Sequence, residues 1–237
     1  MNQLVKPNKL VKAFSELALK ALAVESEFPS KTEVKNFAAK NKEGIPVTRA
    51  SVEITLKDSK PAFNISTTLL GKTPQITSGI GGLGNAHVAI LKAGNKSYVN
   101  IPGDGVRGNG GVLFLPPQGT NRIKMLVWNT EKMSLSGGCS NRSHAEIQFL
   151  NWIKGHLKQY PDFANRINTI HLYLNYSPCS KCNPELVSFV RQNNLQNKFK
   201  IKWQKVYIDK GGCGHSTTNT AIQSLKQNGI ACDHCKS

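Results

Sequence analysis

The sequence predicts an α/β protein: a mixed five-stranded sheet with helices on both faces and its last two strands parallel, preceded by a helical and β-rich extension. Three observations carry this expectation. Between about residue 120 and the carboxy terminus, apolar strand-like runs alternate with segments of helical period. A helical segment, residues 218–227, separates the last two strand-like runs, and a helical crossover implies that those strands run parallel. Before residue 120, two amphipathic segments are followed by short runs broken by Gly, Pro and Asn.

In chain order, residues 8–24 place Leu10, Phe14, Leu17, Ala18, Ala21 and Leu22 at helical spacing with charged residues between them. A second helix is expected from Ser30, where Ser30 and Glu33 form a capping-box pattern. Val34, Phe37 and Ala38 line its face, and Gly44 and Pro46 stop it. Both are read as packing elements. Strand-like runs follow at Val52 to Leu56, Ala86 to Leu91, Ser97 to Ile101 and Val112 to Leu115, with a hairpin turn at Ala93-Gly94-Asn95. The glycine-rich piece over 79–85 has no lysine where a phosphate-binding loop needs one, so it is read as a loop.

The later order is expected to be a strand from Arg122 to Trp128, a helix from Ser143 to about Tyr160, and a strand from Ile170 to Asn175. A helix then opens at Cys179 and Cys182, a strand runs from Phe199 to Ile208, a helix from Thr218 to Gln227, and a final strand from Ile230 to Cys235. Lys200 and Lys202 alternate with Phe199, Ile201 and Trp203, giving the fifth of these elements one basic and one apolar face.

Charge narrows the partners. The chain of 237 residues carries 31 Lys and Arg against 14 Asp and Glu, a net +17 with a pI near 9.8. The excess is distributed, fifteen basic and eight acidic residues in 1–119 against sixteen and six in 120–237, so no basic tail accounts for it. A polyanion is the expected partner. Lys6, Lys9, Lys12, Glu16 and Lys20 interrupt the amino-terminal apolar residues, which excludes the core of a signal peptide and a membrane span there. The expectation is a soluble protein with no membrane partner, cytoplasmic or nuclear, or secreted if this is a mature form. No protein partner is inferred. Asn64, Asn95 and Asn141 each head a glycosylation-acceptor triplet.

The chemistry lies in two stretches, Ser143-His144-Ala145-Glu146 and Pro178-Cys179-Ser180-Lys181-Cys182. A catalytic zinc takes three protein ligands and leaves one place for water, and His144, Cys179 and Cys182 supply such a set. Two cysteines three apart at a helix start can turn to one ion, and the positive helix end favours their thiolates. Glu146, two residues from His144, reaches the site without being a ligand and suits general acid–base work. Ser143 and Glu146 also fit a capping box, and a lone CxxC also fits a redox pair or half a structural zinc knuckle. The joint pattern of HxE at one helix start, a strand, then PCxxC at the next favours the catalytic site. Cys139, Cys213, Cys232 and Cys235 remain open between disulfides and free thiols, with no second metal expected.

This constellation resembles the cytidine deaminase superfamily, and within it the AID/APOBEC-like nucleic-acid cytosine deaminases with their bacterial toxin and secreted relatives. The likeness covers about residues 110–237. Tyr176-Ser177-Pro178-Cys179 looks like that branch's aromatic-Ser-Pro-Cys element, and a parallel last strand pair marks its nucleic-acid deaminases. The resemblance implies a Zn2+ cofactor and conversion of cytosine to uracil in single-stranded nucleic acid, DNA ahead of RNA, with Glu146 catalytic. Alternatives are a deaminase of free nucleosides, nucleotides or adenine, and a non-catalytic zinc-stabilised nucleic-acid-binding module. Residues 101–237 would form the deaminase domain, and residues 1–100 the extension packed on it. By position, Asp209, Lys210 and His215 fall on the loop that contacts the nucleotide before the target base. Tyr176 with Ser177 would flank the base, and Arg142 and Asn85 are further candidate substrate contacts.

Overall fold

The computed structural model describes residues 46–62, 66–70, 73–78, 88–93, 96–102, 110–115, 120–130, 141, 144–209, 214 and 216–234. The two helices expected over 8–24 and 30–44, and the loop over 79–85, lie outside the described residues. Strands β1 (Pro46–Leu56), β2 (Ser66–Leu70), β3 (Thr73–Ser78), β4 (Val88–Ala89), β5 (Leu91–Ala93), β6 (Lys96–Pro102), β7 (Gly110–Leu115) and β8 (Arg122–Thr130) come first. Then follow α1 (Ala145–Gln159), α2 (Phe163–Arg166), β9 (Ile167–Tyr176), α3 (Cys182–Gln192), β10 (Phe199–Lys205), α4 (Asn219–Gln227) and β11 (Ile230–His234).

The class is the expected one, a mixed sheet with helices packed on it. Among the described residues the sheet has eight strands in the order β11-β10-β9-β1-β8-β7-β6-β5, and β2, β3 and β4 form a separate small sheet. Strand β1 runs antiparallel to both of its neighbours, with Val52 opposite Met125 on one side and Leu172 on the other. Strands β9, β10 and β11 are mutually parallel, Phe199 lying between Ile170 and Ile230. The last two strands are therefore parallel, with α4 as their crossover.

Two features differ from the five-strand expectation. Strands β5, β6 and β7 continue the sheet beyond β8, and β1 is one of its central strands. Residue 100, the boundary read from the sequence, falls inside β6 of this same sheet. Strands β1 and β8 pair as a hairpin would, yet residues 57–121, with six strands among them, intervene. Period-two alternation shows that Ala50, Val52, Ile54 and Leu56 share a buried face. It does not encode which strand pairs with them across so long an excursion.

The sheet face carrying Ala50, Val52, Ile54, Ile170, Leu172, Leu174, Phe199 and Ile201 is buried. Phe199 meets Phe149 of α1 at a ring-centroid distance of 6.4 Å and Phe189 of α3 at 6.3 Å, so both helices lie on this face. Each such ring, fully buried, contributes about 1.5–3 kcal/mol of transfer free energy. Helix α3 ends where Asn194 takes a left-handed φ of 53°, and the Leu195 N–H then donates to the Val190 carbonyl at 2.9 Å. Helix α4 starts with the Thr218 hydroxyl accepting from the Ala221 N–H at 3.1 Å. It stops at Gly229, φ 72°, where a Cβ would lie 2.9 Å from Gln196 Cβ. Only glycine fits that close approach, and it turns the chain into β11.

The carboxy-terminal half of α1 buries His156 among aromatic rings: stacked on Trp152 at 5.3 Å and edge-on to Phe163 at 4.4 Å. Burial pushes this imidazole down to about 4, although the Ala62 backbone favours its protonated form. The folded protein therefore refuses a proton that the unfolded chain accepts once pH falls below about 6.5. Stability from this group is complete above that value and is lost as pH falls towards 4. At pH 4.5 the loss amounts to about 2–3 kcal/mol relative to neutrality. Urea unfolding at pH 7.5 and 4.5 should show that much more acid loss in wild type than in His156→Phe. Equal losses in the two proteins would disprove the assignment.

Candidate active site

His144 precedes α1 in extended conformation, φ −61° and ψ 144°, as the N-cap residue. Its side chain makes no capping hydrogen bond, so the ring is not committed to the helix end. The buried Ala145 and Glu146 follow as the first two helical residues. On the neighbouring segment, β9 ends at Tyr176 and the chain turns through Ser177 and Pro178 into α3. The Cys179 carbonyl accepts the N–H groups of both Cys182 and Asn183 at 3.1 Å. That turn brings the two buried sulfurs to the same side, 3.2 Å apart.

His144 Nδ1 lies 3.6 Å from Cys179 Sγ and 3.2 Å from Cys182 Sγ. No other His, Cys, Asp or Glu cluster of this kind occurs among the described residues. A tetrahedral zinc with bonds of about 2.3 Å to sulfur and 2.0–2.1 Å to nitrogen holds its ligand atoms roughly 3.4–3.8 Å apart. Three donors at 3.2–3.6 Å, two soft sulfurs and one imidazole nitrogen, fit that ion with a small expansion.

The electrostatics agree with the grouping. The Cys182 hydrogen bond, followed by the His144 bond and charge, brings the Cys179 thiol down to about 4 against the opposing effect of burial. Burial first, then the bond to Cys179 and the Glu146 charge, pushes the Cys182 thiol up. One proton is thus held between two adjacent sulfurs. His144 is raised: burial acts against its charge, but the Cys179 bond and the Glu146 and Cys179 charges outweigh it. Glu146 is 4% exposed and sits beside the Cys182 thiol, to which it hydrogen-bonds. Burial raises this carboxyl, with the His144 charge as the main opposing effect.

A hydroxyl network fixes the metal-binding turn to the loop after β10. Thr217 Oγ1 donates to the Pro178 carbonyl at 2.8 Å, which leaves the Ser177 hydroxyl to donate to Thr217 Oγ1 at 2.7 Å. Ser177 Oγ also accepts the Tyr207 N–H at 2.9 Å, and the Thr217 N–H donates to the Tyr207 carbonyl at 3.0 Å. On the other side, the Asn141 side-chain amide donates to the Lys181 carbonyl at 2.9 Å, and the Asn141 carbonyl accepts the His144 N–H. The His and Cys arms of the site are thereby tied together.

Of the residues expected from sequence, His144, Glu146, Cys179 and Cys182 converge at one point. Ser177 is buried and its hydroxyl serves the loop network. Tyr176 is half-buried and meets Tyr207 edge-on at 6.2 Å, while Tyr207 in turn meets the His144 ring edge-on at 6.2 Å. The Asp209 N–H donates to Ser216 Oγ at 2.9 Å, and the Asp209 charge helps burial raise the Tyr207 phenol. Asn85, Arg142, Lys210 and His215 lie outside the described residues.

No sequence motif marks Tyr207 or Thr217, and Asn141 is marked only as the head of a glycosylation-acceptor triplet. The strand expected to reach Ile208 ends at Lys205, which releases Tyr207 to turn over the site. A usable sign was present: Val206, Tyr207 and Ile208 break the alternation, and Val206 and Ile208 are 42% and 67% exposed.

A mixed sheet with parallel final strands, and a His/Cys/Cys set with both sulfurs buried at the starts of α1 and α3 beside a buried carboxyl, define a zinc-dependent deaminase of the cytidine deaminase superfamily. Residues 119–235 match the family model described as APOBEC3, cytosine deaminase domain, and this segment is an AID/APOBEC-like cytosine deaminase domain. The match contains β8 to β11 and the whole metal site, and leaves β1 outside. No match to the chain was found among curated proteins. No helix among the described residues is long and apolar enough to cross a membrane.

Proposed function

We propose that this deaminase acts on cytosine in single-stranded nucleic acid, DNA ahead of RNA. The observation that carries the reading is the parallel β10–β11 pair joined through α4, the arrangement that the resemblance associates with polymer substrates. The net charge of +17 supports it, since a nucleoside carries no phosphate to attract. Residues 101–237 are proposed as the deaminase domain and residues 1–100 as an extension packed on it, which contributes β1 to the same sheet.

His144, Cys179 and Cys182 would hold the zinc, which when bound supplies a Lewis acid able to bring the pKa of a water towards neutrality. Glu146 takes a proton from the attacking water and returns it to the departing nitrogen. The new C–O bond forms at the amino-bearing ring carbon, the C–N bond breaks, and ammonia leaves with uracil as product. A buried carboxyl with a raised pKa suits this two-way transfer, because its protonated form is not strongly disfavoured between the two steps. Tyr207 and Tyr176 offer aromatic surface beside His144 for a base swung out of its stack. Asp209, Lys210, His215, Arg142 and Asn85 are proposed to contact flanking nucleotide or base.

Incubation of the zinc-loaded protein with cytidine, a cytosine-containing oligodeoxynucleotide and its RNA counterpart tests this. Uracil should accumulate in the oligonucleotides, fastest in DNA. Turnover of cytidine alone would overturn the polymer assignment.

A further inference from the structure

A groove of about 820 Å³ runs between α3 and α4, outside the metal site. One end is formed by Ser180, next to the zinc ligand Cys179, and by Thr218 at the start of α4. Its base is closed by Asn183, almost wholly buried, whose amide donates to the Ala221 carbonyl and clasps the two helices together. Thr220 and Ser224 line the α4 side. Among the described residues, Arg191, exposed in the last turn of α3, is its one charged lining residue and no carboxylate lines it; Pro184, Val187 and Ala221 add apolar surface between the polar groups.

We propose that this groove is a binding site for the phosphodiester backbone of the substrate strand, several nucleotides from the target base. Hydroxyls and amides without an acidic neighbour suit acceptor oxygens, and a guanidinium supplies the counter-charge a phosphate needs. Position excludes a role in holding the target nucleoside: Arg191 lies nine residues along α3 from Cys182, about 14 Å at 1.5 Å per residue. A strand that leaves the active site past Ser180 and follows α3 reaches it. This inference rests on the single-stranded substrate proposed above.

The test compares wild type, Arg191→Glu and Arg191→Lys on a 20-nucleotide and a 3-nucleotide single-stranded substrate, each with one cytosine. For the long strand, charge reversal should raise KM about tenfold and lower the slope of log Kd against log salt by about one or more. The penalty should exceed that on the trinucleotide at least fivefold, and Arg191→Lys should recover most of it. Zinc content and thermal midpoint, measured alongside, separate loss of contact from loss of fold. A wild type active on the long strand, with Arg191→Glu equal to it or equally impaired on both lengths, would overturn the groove alone. A wild type inactive on every oligonucleotide but active on cytidine would overturn the substrate class, and the groove with it.

Discussion

Replacing Glu146 with Gln is expected to reduce cytosine deamination by about 10²–10⁴-fold or more, the usual worth of a positioned general acid–base group, while zinc stays at one equivalent per chain. The substitution is close to isosteric at a position 4% exposed, so packing is preserved. The metal-ligand set contains no carboxylate, and the amide therefore removes no ligand. It removes the ability to accept a proton from water and release it to nitrogen. The amide keeps an acceptor oxygen near the Cys182 thiol, which limits the structural effect to one hydrogen bond of modest net worth. Activity measured on an oligonucleotide, together with zinc content and thermal midpoint, separates the roles. Full activity in Glu146→Gln would eliminate the acid–base assignment. Lost zinc or a large fall in midpoint would mean that the residue holds the site together instead.

The metal set was legible because its information is local. His144 and Glu146 share one helix start, Cys179 and Cys182 share another, and residue type with spacing specifies each pair. They converge because α1 follows β8 and α3 follows β9, two strands that run parallel on either side of β1 and whose apolar runs the sequence declares. The parallel β11 followed from α4 for the same reason. The place of β1 was not legible, since its pairing with β8 spans residues 57–121 and depends on register between distant strands. The aromatic wall is only faintly legible. Val206, Tyr207 and Ile208 break the period-two alternation, but they also continue an apolar run, and the exposure of Val206 and Ile208 is what shows that the strand has ended. Asn141 and Thr217 act through single hydrogen bonds to backbone carbonyls of Lys181 and Pro178, which no sequence spacing encodes.

Replacing Cys182 with Ser should abolish stoichiometric zinc and, with it, activity. If binding of about 10–16 kcal/mol is shared among three ligands, losing one weakens zinc roughly 10²–10⁴-fold. The sulfur at risk lies 3.2 Å from both Cys179 Sγ and His144 Nδ1, so its loss opens the centre of the cluster. A serine hydroxyl is harder and shorter than a thiolate and does not restore the third bond. The same metal stabilises the fold by mass action, about 2.7 kcal/mol when free zinc is a hundredfold above its dissociation constant. Wild type should therefore lose thermal midpoint on chelation, while Cys182→Ser should start near the chelated value and not respond. Cys232→Ser is the matched control. That thiol is also buried, burial pushes it up to about 12, and it donates to the Ile230 carbonyl. It belongs to no ligand cluster among the described residues, so its variant should keep one zinc and the chelation response. Zinc retained by Cys182→Ser, or lost equally from Cys232→Ser, would remove the His144, Cys179 and Cys182 set as the metal site.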